Sequence, residues 1–469
     1  MKYKLTIALP LSFALGCTLA QPTALPVPPQ VAHDAEPPGP IRHVIVLTID
    51  GLMPEAYLRP DVHGLKVPRL RELVARGASS SGAASVFPSL TYPAHTSIAT
   101  GVTPARHGIV TNTVFDPLEK NQNAWRWYDA DVLVPRVWDV ALAAGYRTAL
   151  IDWPVTVGEA ATFHVPEFWR AKVSDDVKLI RALSTPGLLE AVSAKYPDFA
   201  AGFRPQDVAD EAGTDIVLHI LAEARPHLTF LHIWQVDAAQ HFHGLWSERA
   251  RAAIETADAQ IGRLLQAVEQ AGIADSTALV VASDHGFASI TRCVNPNVSL
   301  RRAGLLEVDA AGHVTDWRAA VLPAHGSAYV YLADEADAAL RAATTKVFDD
   351  AKRLPNSGIA HVFGHDEIVA KGGDPAAFLA LEAELGTYFG TGLSEYETPP
   401  AYQATHGYDP IHPEMQAALL LLGPGIPHGE LTGARLIDIA PTVAAWLGLD
   451  LANVEGKPLV VNATPRSRQ

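Results

Sequence analysis

The sequence predicts an α/β fold built on a mainly parallel sheet with helices on both faces. Two observations predict it: apolar segments of strand length recur along the chain, and segments of helical periodicity separate them. Near-continuous apolar strands are typical of parallel sheets that helices cover on both sides. The predicted strands are His43–Ile49, Thr148–Ile151, Thr229–Trp234, Ala278–Ala282, Ala328–Leu332 and Ala417–Leu422. The predicted helices include Arg69–Arg76, Val137–Ala144, Asp207–Glu223 and Ser247–Glu269.

Size and charge limit the classes of function. The chain has 469 residues, 48% of them apolar, which is enough for a large core. Length alone suggests about three domains, although one α/β domain with insertions fits equally well. The formal net charge is -15, from 36 basic and 51 acidic residues. This balance argues against a partner that is a nucleic-acid polymer, because no basic surplus can neutralise its phosphates. A small anionic substrate stays compatible with a local positive charge.

The N-terminus has the features of an export signal. Two lysines precede an apolar stretch from Leu5 to Leu15, and small residues end at Ala20, so residues 1–20 are predicted to be a signal peptide. The apolar stretch is too short for a transmembrane helix, and we predict no transmembrane segment later in the chain. We therefore expect an exported protein, periplasmic or secreted. Lipoprotein anchoring at Cys17 is the alternative.

Residues 21–40 are rich in proline and are predicted to form a stiff linker. The catalytic domain is then expected to span residues 41–465. After signal cleavage Cys293 would be the last cysteine, so no intramolecular disulfide is expected, and it is predicted to be a small buried residue.

Metal-capable side chains follow three of the predicted strands, directly or within three residues. In parallel sheets, ligands bind beyond the carboxyl ends of the strands, so these side chains are expected at one edge of the sheet. Alone, each would more often be a helix cap or a turn residue. Together with one histidine that arrives by a loop, three aspartates and three histidines match two zinc ions with about four ligands each. The candidates are Asp50, Asp237, His241, Asp284, His285 and His406.

A candidate nucleophile lies in the segment from Phe87 to Gly101. Pro93 suits the first turn of a helix and Gly101 its end, which places Thr91 at the helix entrance. Free backbone N–H groups and the helix dipole favour an anion there, and a metal ion would lower the pKa of the hydroxyl. A simple helix cap is the alternative role of Thr91. The rival hydroxyl residues are Ser89, Thr96, Ser97 and Thr100, of which the last three would lie inside the helix.

The motifs together resemble the nucleotide pyrophosphatase/phosphodiesterase family of the alkaline phosphatase superfamily. The family's Thr-aromatic-Pro-x-His segment is matched by Thr91 to His95. The later motifs follow in family order, so the resemblance covers about Ile41 to Leu449. They are Gly101 to Ile109, Asn112, Asp237 with His241, Ser283 to Gly286, and His406 to Asp409.

The resemblance implies an alkaline-phosphatase-like fold, a role for each site residue and two zinc ions. Asn112 would bind a phosphate oxygen as part of an oxyanion hole. Tyr92 would flank the substrate, although simple packing is an equal alternative. His95, His107 and His243 have no ligand role in the family. One zinc would be held by Asp237, His241 and His406, and the other by Asp50, Asp284, His285 and the Thr91 oxygen.

The charge of this site favours a phosphodiester. Two zinc ions and three aspartates leave a charge of roughly +1, which a diester neutralises and a phosphomonoester dianion exceeds. Arg106 is the basic residue nearest the nucleophile segment. We therefore expect in-line attack by Thr91 in a phosphodiesterase or nucleotide pyrophosphatase, through a covalent threonyl intermediate, on a small phosphodiester or nucleotide. The alternatives are a phosphate monoesterase or phosphotransferase on the same scaffold, and a non-catalytic zinc-binding exported protein.

Two segments outside the motifs, about 154–207 and 295–403, are predicted to form caps over the strand ends and to determine substrate choice. Four tryptophans could line a pocket for a base or an acyl chain, or could be ordinary core and surface aromatics. They are Trp125, Trp127, Trp153 and Trp169.

Overall fold

The computed structural model of the chain describes residues 35–121, 125–169, 174–196 and 209–463. The predicted signal peptide, Cys17 and most of the proline-rich linker lie outside these residues. The described end of the linker, residues 35–40, forms neither helix nor strand. Within the described residues, no helix is both long and apolar enough to cross a bilayer. Cys293 is buried and makes no disulfide.

The described strands are short to medium in length and occur throughout the chain. They are β1 (His43–Ile49), β2 (Ala78–Ser79), β3 (Thr148–Trp153), β4 (Phe163–Pro166), β5 (Leu228–Ile233), β6 (Thr277–Ala282), β7 (Ala288–Ser289), β8 (Arg292–Val294), β9 (Leu306–Val308), β10 (Val314–Trp317), β11 (Ala319–Ala324), β12 (Ser327–Leu332), β13 (Ile359–Gly364), β14 (Leu379–Ala383), β15 (Thr387–Phe389), β16 (Glu397–Thr398), β17 (Ala404–Thr405), β18 (Leu419–Leu422), β19 (Gly429–Glu430) and β20 (Asn462–Ala463).

The described α-helices alternate with these strands. They are α1 (Glu55–Leu58), α2 (Pro68–Arg76), α3 (Thr91–Thr100), α4 (Pro104–His107), α5 (Val137–Ala143), α6 (Ser174–Leu183), α7 (Leu188–Lys195), α8 (Ala209–Glu223), α9 (Gln235–His243), α10 (Glu248–Gln270), α11 (Asn297–Arg302), α12 (Ala338–Lys352), α13 (His365–Ala370) and α14 (Ile439–Leu447). The four helices predicted from sequence are present. The first two residues of the one predicted at Asp207 lie outside the described residues.

A central sheet of nine described strands runs in the order β20-β19-β2-β18-β6-β1-β5-β3-β4. The five strands from β6 to β4 are parallel to one another. Strand β18 pairs antiparallel with β6 and β2. The predicted α/β class with a mainly parallel sheet is therefore confirmed.

Strand β1 is largely apolar because both of its faces are buried. Ile45, Leu47 and Ile49 face a cluster that includes residues of α2, α8 and α10. The alternate residues Val44 and Val46 face a second cluster, formed with α3, α5 and α14. Because successive side chains of a strand point to opposite faces, a strand buried on both faces is apolar at nearly every position. The polar exceptions in β1 are His43 and Thr48. Each of the buried apolar side chains contributes about 1.5–3 kcal/mol of hydrophobic stabilisation.

One predicted strand belongs to a different sheet. The segment Ala328–Leu332 does form β12, but β12 lies in a separate four-stranded sheet, β11-β12-β14-β13, in which all pairs are antiparallel. This segment lies within residues 295–403, the second predicted cap, and an apolar run indicates burial but not which strands lie beside it. This sheet has its own core, to which α12 contributes Leu340 and Phe348. The cap role of residues 154–207 and 295–403 stays a prediction.

Candidate metal centre and nucleophile

The order of the central strands brings the predicted metal ligands together. Strand β1 lies between β6 and β5, and all three run parallel. Asp50 follows the last residue of β1, and Asp284 comes two residues after the end of β6. Helix α9 begins two residues after β5 and carries Asp237 and His241 one turn apart. The carboxyl ends of three neighbouring strands therefore supply most of the cluster.

One half of the cluster surrounds the imidazole of His285. Its Nε2 lies 3.1 Å from Oδ2 of Asp284 and 3.4 Å from Oδ1 of Asp50. The hydroxyl oxygen of Thr91 is 3.4 Å from the same nitrogen. The Asp50, Asp284 and His285 ligand atoms all lie within 4.8 Å of one another, a spacing that suits a metal ion.

The other half of the cluster surrounds Asp237. Its Oδ1 lies 3.4 Å from Nε2 of His241 and 3.7 Å from Nε2 of His406. The rings of His406 and His285 stack with centroids 3.6 Å apart, so the two halves are contiguous. The ligand atoms of Asp237, His406 and His285 all lie within 4.8 Å of one another, whereas His241 is close to Asp237 but outside this group. All six predicted ligands nevertheless converge at one place.

Unpartnered carboxylate oxygens show that the cluster fits cations. Among the described residues, Oδ1 of Asp50, Oδ1 of Asp237 and Oδ2 of Asp284 are buried and accept no hydrogen bond. The opposite oxygen of Asp284 accepts a hydrogen bond from the Gly51 N–H at 3.0 Å. Burial of an unpaired carboxylate oxygen is costly, and a bound cation removes that cost.

The three histidines are oriented for metal binding by backbone carbonyls. A carbonyl oxygen only accepts hydrogen bonds, so each Nδ1 that faces one carries the proton. The neutral imidazole then presents an unprotonated Nε2 to the cluster, the arrangement usual for zinc-binding histidines. Nδ1 of His241, His406 and His285 faces the carbonyl of Ala404, Ser89 and Gly286 at 2.9, 2.9 and 3.1 Å, respectively.

The pKa values of the cluster reflect burial and the charges of the neighbouring side chains. Burial and the neighbouring carboxylates of Asp284 and Asp237 raise the pKa of Asp50 well above its usual range. Burial and the nearby imidazoles lower the pKa of His406 well below its usual range, which keeps it neutral. Burial would lower the pKa of His241, but the Asp237 carboxylate outweighs it and raises that pKa. Carboxylates crowded beside imidazoles form a donor set for divalent cations.

Thr91 is the first residue of α3, and its hydroxyl does not cap the helix. The N-cap position is Leu90, and no side chain caps this end. The rival hydroxyls of the segment are buried and bonded within the protein: Ser89 to the Tyr408 carbonyl, Thr96 to the Tyr92 carbonyl, Ser97 to His107, and Thr100 to the Thr96 carbonyl. Thr91 is the hydroxyl of this segment that faces the cluster, and the helix-cap alternative is wrong.

Asn112 and Tyr92 lie beside Thr91 in different environments. Oδ1 of Asn112 accepts a hydrogen bond from the Tyr92 N–H at 2.9 Å, which fixes the orientation of the amide. The side chain of Tyr92 is only 1% exposed. Its hydroxyl donates to Glu167 at 3.2 Å, and its ring packs edge-on against Trp125 and Trp127. These contacts supply the packing role, and a substrate contact by Tyr92 stays a prediction.

The tryptophans fall into two groups. Trp125, Trp127 and Trp169 pack together next to Tyr92. Trp153 is fully buried against Trp138 and Phe230, in the core cluster that is formed with α3, α5 and α14. A pocket for a substrate group could therefore involve the first three but not Trp153.

The remaining candidates have other partners. Arg106 forms an ion pair with Glu455 at 3.7 Å. His95 is buried and bonds the Thr91 carbonyl and the Thr48 hydroxyl, whereas His243 is exposed. Sequence reasoning missed three residues beside the cluster: His232, Glu167 and His325. A histidine inside the apolar strand β5 was the signal for the first, and a His-Gly pair between two strands was the signal for the last.

The sheet, its flanking helices and the cluster at the strand ends define an alkaline-phosphatase-like α/β protein. A family model described as Type I phosphodiesterase / nucleotide pyrophosphatase matches residues 44–409. The chain belongs to this family.

The chain is also similar to individual relatives. Ectonucleotide pyrophosphatase/phosphodiesterase family member 1 of Rattus norvegicus is 24% identical over 435 residues, which cover 90% of this chain and 42% of the relative. Family member 3 of Mus musculus is 24% identical over 262 residues, or 54% of this chain and 26% of the relative. The chain thus spans less than half the length of these relatives.

Solved structures show the same fold. Human ectonucleotide pyrophosphatase / phosphodiesterase 5 superposes with a TM-score of 0.65 at 16% identity, covering 88% of this chain and 97% of that one. The murine protein of the same name, in an inactive form in complex with AMP, superposes with a TM-score of 0.60 at 20% identity and the same coverage.

Proposed function

We propose that this protein is a two-zinc phosphodiesterase or nucleotide pyrophosphatase that cleaves phosphodiester or phosphoanhydride bonds through a covalent intermediate on Thr91. The observation that carries the proposal is the position of the Thr91 hydroxyl, 3.4 Å from His285 Nε2 and next to buried, unpartnered carboxylate oxygens. The family's name and the AMP complex of a structural relative support a small nucleotide or phosphodiester as substrate.

Zinc would be held by Asp50, Asp284, His285 and Thr91 on one side and by Asp237, His241 and His406 on the other. When bound, it would supply positive charge that stabilises oxyanions and lowers the pKa of a hydroxyl. We expect export to the periplasm or the exterior, with lipid anchoring at Cys17 as the alternative.

The protein's own residues then perform the displacement. The Thr91 hydroxyl gives up its proton to solvent, and its oxygen attacks phosphorus and forms a new P–O bond. The bond to the departing oxygen breaks, and that oxygen leaves with the bonding electron pair and takes up a proton from solvent when it is basic enough. The Asn112 amide, whose oxygen is held by the Tyr92 N–H, presents its N–H₂ group to a non-bridging phosphate oxygen. Water then attacks phosphorus, breaks the bond to Thr91 and restores the hydroxyl. Arg106 pairs with Glu455 at 3.7 Å, and two zinc ions with three aspartates would leave a charge of roughly +1, which a monoanionic diester neutralises.

The proposal predicts that Thr91→Ala loses diester hydrolysis by at least about a thousandfold, because the nucleophile is missing. The measurement is hydrolysis of bis(p-nitrophenyl) phosphate, with zinc content determined on the same sample. Thr96→Ala is the matched control, since its hydroxyl lies on the same helix but bonds the Tyr92 carbonyl. Diester hydrolysis at the parent rate by Thr91→Ala would exclude the covalent route, and a clear preference for p-nitrophenyl phosphate would favour a monoesterase.

A further inference from the structure

His325 lies at a turn that glycine would occupy more easily. Strands β11 and β12 are joined by the two residues His325 and Gly326. His325 has a φ of 59°, in the left-handed region that costs a side-chain-bearing residue about 1–2 kcal/mol. The turn is held by its neighbours: the Gly326 N–H donates to the His406 carbonyl at 2.9 Å, and the Phe389 N–H donates to the His325 carbonyl at 2.8 Å. Non-glycine residues held in such a strained conformation are common at functional sites, so the side chain of His325 is a candidate for a function.

The His325 ring lies beside two predicted metal ligands. Its centroid is 5.0 Å from that of His406, with the rings stacked, and 5.5 Å from that of His241. His325 is not one of the six predicted ligands, and, like His241, it lies outside the two groups of ligand atoms that could hold a metal ion within the described residues. It therefore borders the cluster as a separate functional group.

The hydrogen bond of His325 to Thr405 defines which ring nitrogen carries a proton. Nδ1 lies 2.9 Å from the hydroxyl oxygen of Thr405, a fully buried residue. Among the described residues Nδ1 is the one hydrogen-bond partner of that hydroxyl, and a buried O–H group without an acceptor is costly, so the hydroxyl donates and Nδ1 accepts. Nε2 then carries the hydrogen. No hydrogen bond of Nε2 is present in the described part of the chain, and His325 as a whole is half-buried.

The position of Thr91 defines the side on which the leaving group departs. In an in-line displacement, the attacking and departing oxygens lie on opposite sides of phosphorus. The attacking oxygen of Thr91 lies beside His285. The departing oxygen is therefore expected toward Asp237, His241 and His406, the side that His325 borders.

We propose that His325 is a further catalytic residue, whose Nε2–H donates a hydrogen bond to the departing oxygen of the substrate. This inference rests on the proposed function. The bond strengthens as negative charge develops on that oxygen, so it stabilises the transition state more than the bound substrate. Basic departing groups gain most, which favours phosphodiesters that release an alcohol over phosphoanhydrides that release a phosphate.

The test uses variants that suit the backbone of the turn. Glycine and asparagine both accept a positive φ, so His325→Gly and His325→Asn are expected to fold; the second keeps an amide donor. Activity is measured on a series of methyl aryl phosphates whose phenols span a range of pKa values. His243→Gly is the control, because that histidine is exposed at the end of α9.

For His325→Gly we expect kcat/KM to fall about tenfold to a hundredfold for the least acidic phenol and less than about threefold for p-nitrophenol, with zinc content unchanged. His325→Asn should recover part of the loss, and His243→Gly should match the parent. A parental dependence on phenol pKa in His325→Gly, or an equal loss for all substrates together with lost zinc, would overturn the role of His325 alone. A parent enzyme without diesterase activity would overturn the proposed function as well.

Discussion

At the scale of single residues, Asp50 is held in place by His232. Nε2 of His232 lies 3.2 Å from Oδ2 of Asp50, while Nδ1 lies 3.1 Å from the Asp152 carbonyl and 3.5 Å from Oε2 of Glu167. Both nitrogens face oxygen acceptors, so both donate. Burial alone would lower the pKa of His232, but the carboxylates of Asp50 and Glu167 outweigh it and raise the pKa well above its usual range. The remaining oxygen of Asp50 is left free for the cluster.

We predict that His232→Leu weakens zinc binding by the Asp50 group about 10- to 100-fold, because Asp50 loses the donor that orients it. Titration against a chelator of known affinity measures the change. The control is His43→Leu. His43 is buried at the opposite end of the neighbouring strand and bonds the Pro226 carbonyl, so its loss should reduce stability without changing zinc affinity. Parental zinc affinity in His232→Leu would show that Asp50 does not need this support.

Site residues that directly follow apolar strands could be placed from the sequence, and the others could not. Asp50, Asp237 and Asp284 follow apolar strands, so the sheet topology alone brings them together. Glu167 could not be placed in advance, because its partners Tyr92 and His232 lie on other elements far away in sequence.

At the scale of elements, the loop that carries His406 is locked against the β11–β12 turn. Gly407 has a φ of 85°, and a Cβ added there would lie 2.2 Å from the Ala324 carbonyl oxygen. Its N–H donates to the Ser89 carbonyl at 3.0 Å, and that same carbonyl accepts from His406 Nδ1. The position of the His406 imidazole thus depends on the close approach of two backbone segments that a side chain would force apart.

Gly407→Ala is predicted to reduce the free energy of unfolding by at least about 3 kcal/mol, from the strained φ together with the backbone clash, and to lower zinc content. Urea unfolding and metal analysis measure the two effects. Gly433→Ala is the matched control, since Gly433 also has a positive φ, 65°, but no atom lies within 4 Å of an added Cβ. It should lose only about 1 kcal/mol and keep its zinc. Equal losses for the two variants would contradict the packing argument.

Secondary-structure elements could be predicted where the apolar pattern of a strand also indicates the sheet to which the strand belongs. The continuous apolar runs predicted β1, β5 and β6 within one residue at each end. The four-stranded antiparallel sheet was not predicted. Its strand β11 runs directly into a two-residue turn, and β13 has exposed and half-buried positions that blur the apolar pattern.

At the scale of the whole molecule, the cluster connects parts of the chain that are distant in sequence. Its six ligands are spread over the sequence from Asp50 to His406. Thr91 comes from helix α3, which lies between β2 and β3 in the sequence. Three buried carboxylate oxygens without partners reduce the stability of the metal-free fold. Bound zinc should therefore stabilise the entire domain and not only the site.

We predict that removal of metal lowers the melting temperature. At free zinc about a thousandfold above the dissociation constant, each site should contribute about 4 kcal/mol. Differential scanning calorimetry before and after chelation, followed by zinc addition, measures the loss and its recovery. Asp237→Asn should melt lower than the parent in zinc and lose less on chelation. An unchanged melting temperature after complete zinc removal would contradict this role.

The central claim is that six side chains hold two metal ions beside one hydroxyl. X-ray anomalous diffraction at the zinc edge, on crystals of the purified protein, tests it most directly. We predict two peaks, one among Asp50, Asp284, His285 and Thr91 and one among Asp237, His241 and His406. A zinc-replete crystal with a single peak, or with peaks away from these side chains, would contradict it.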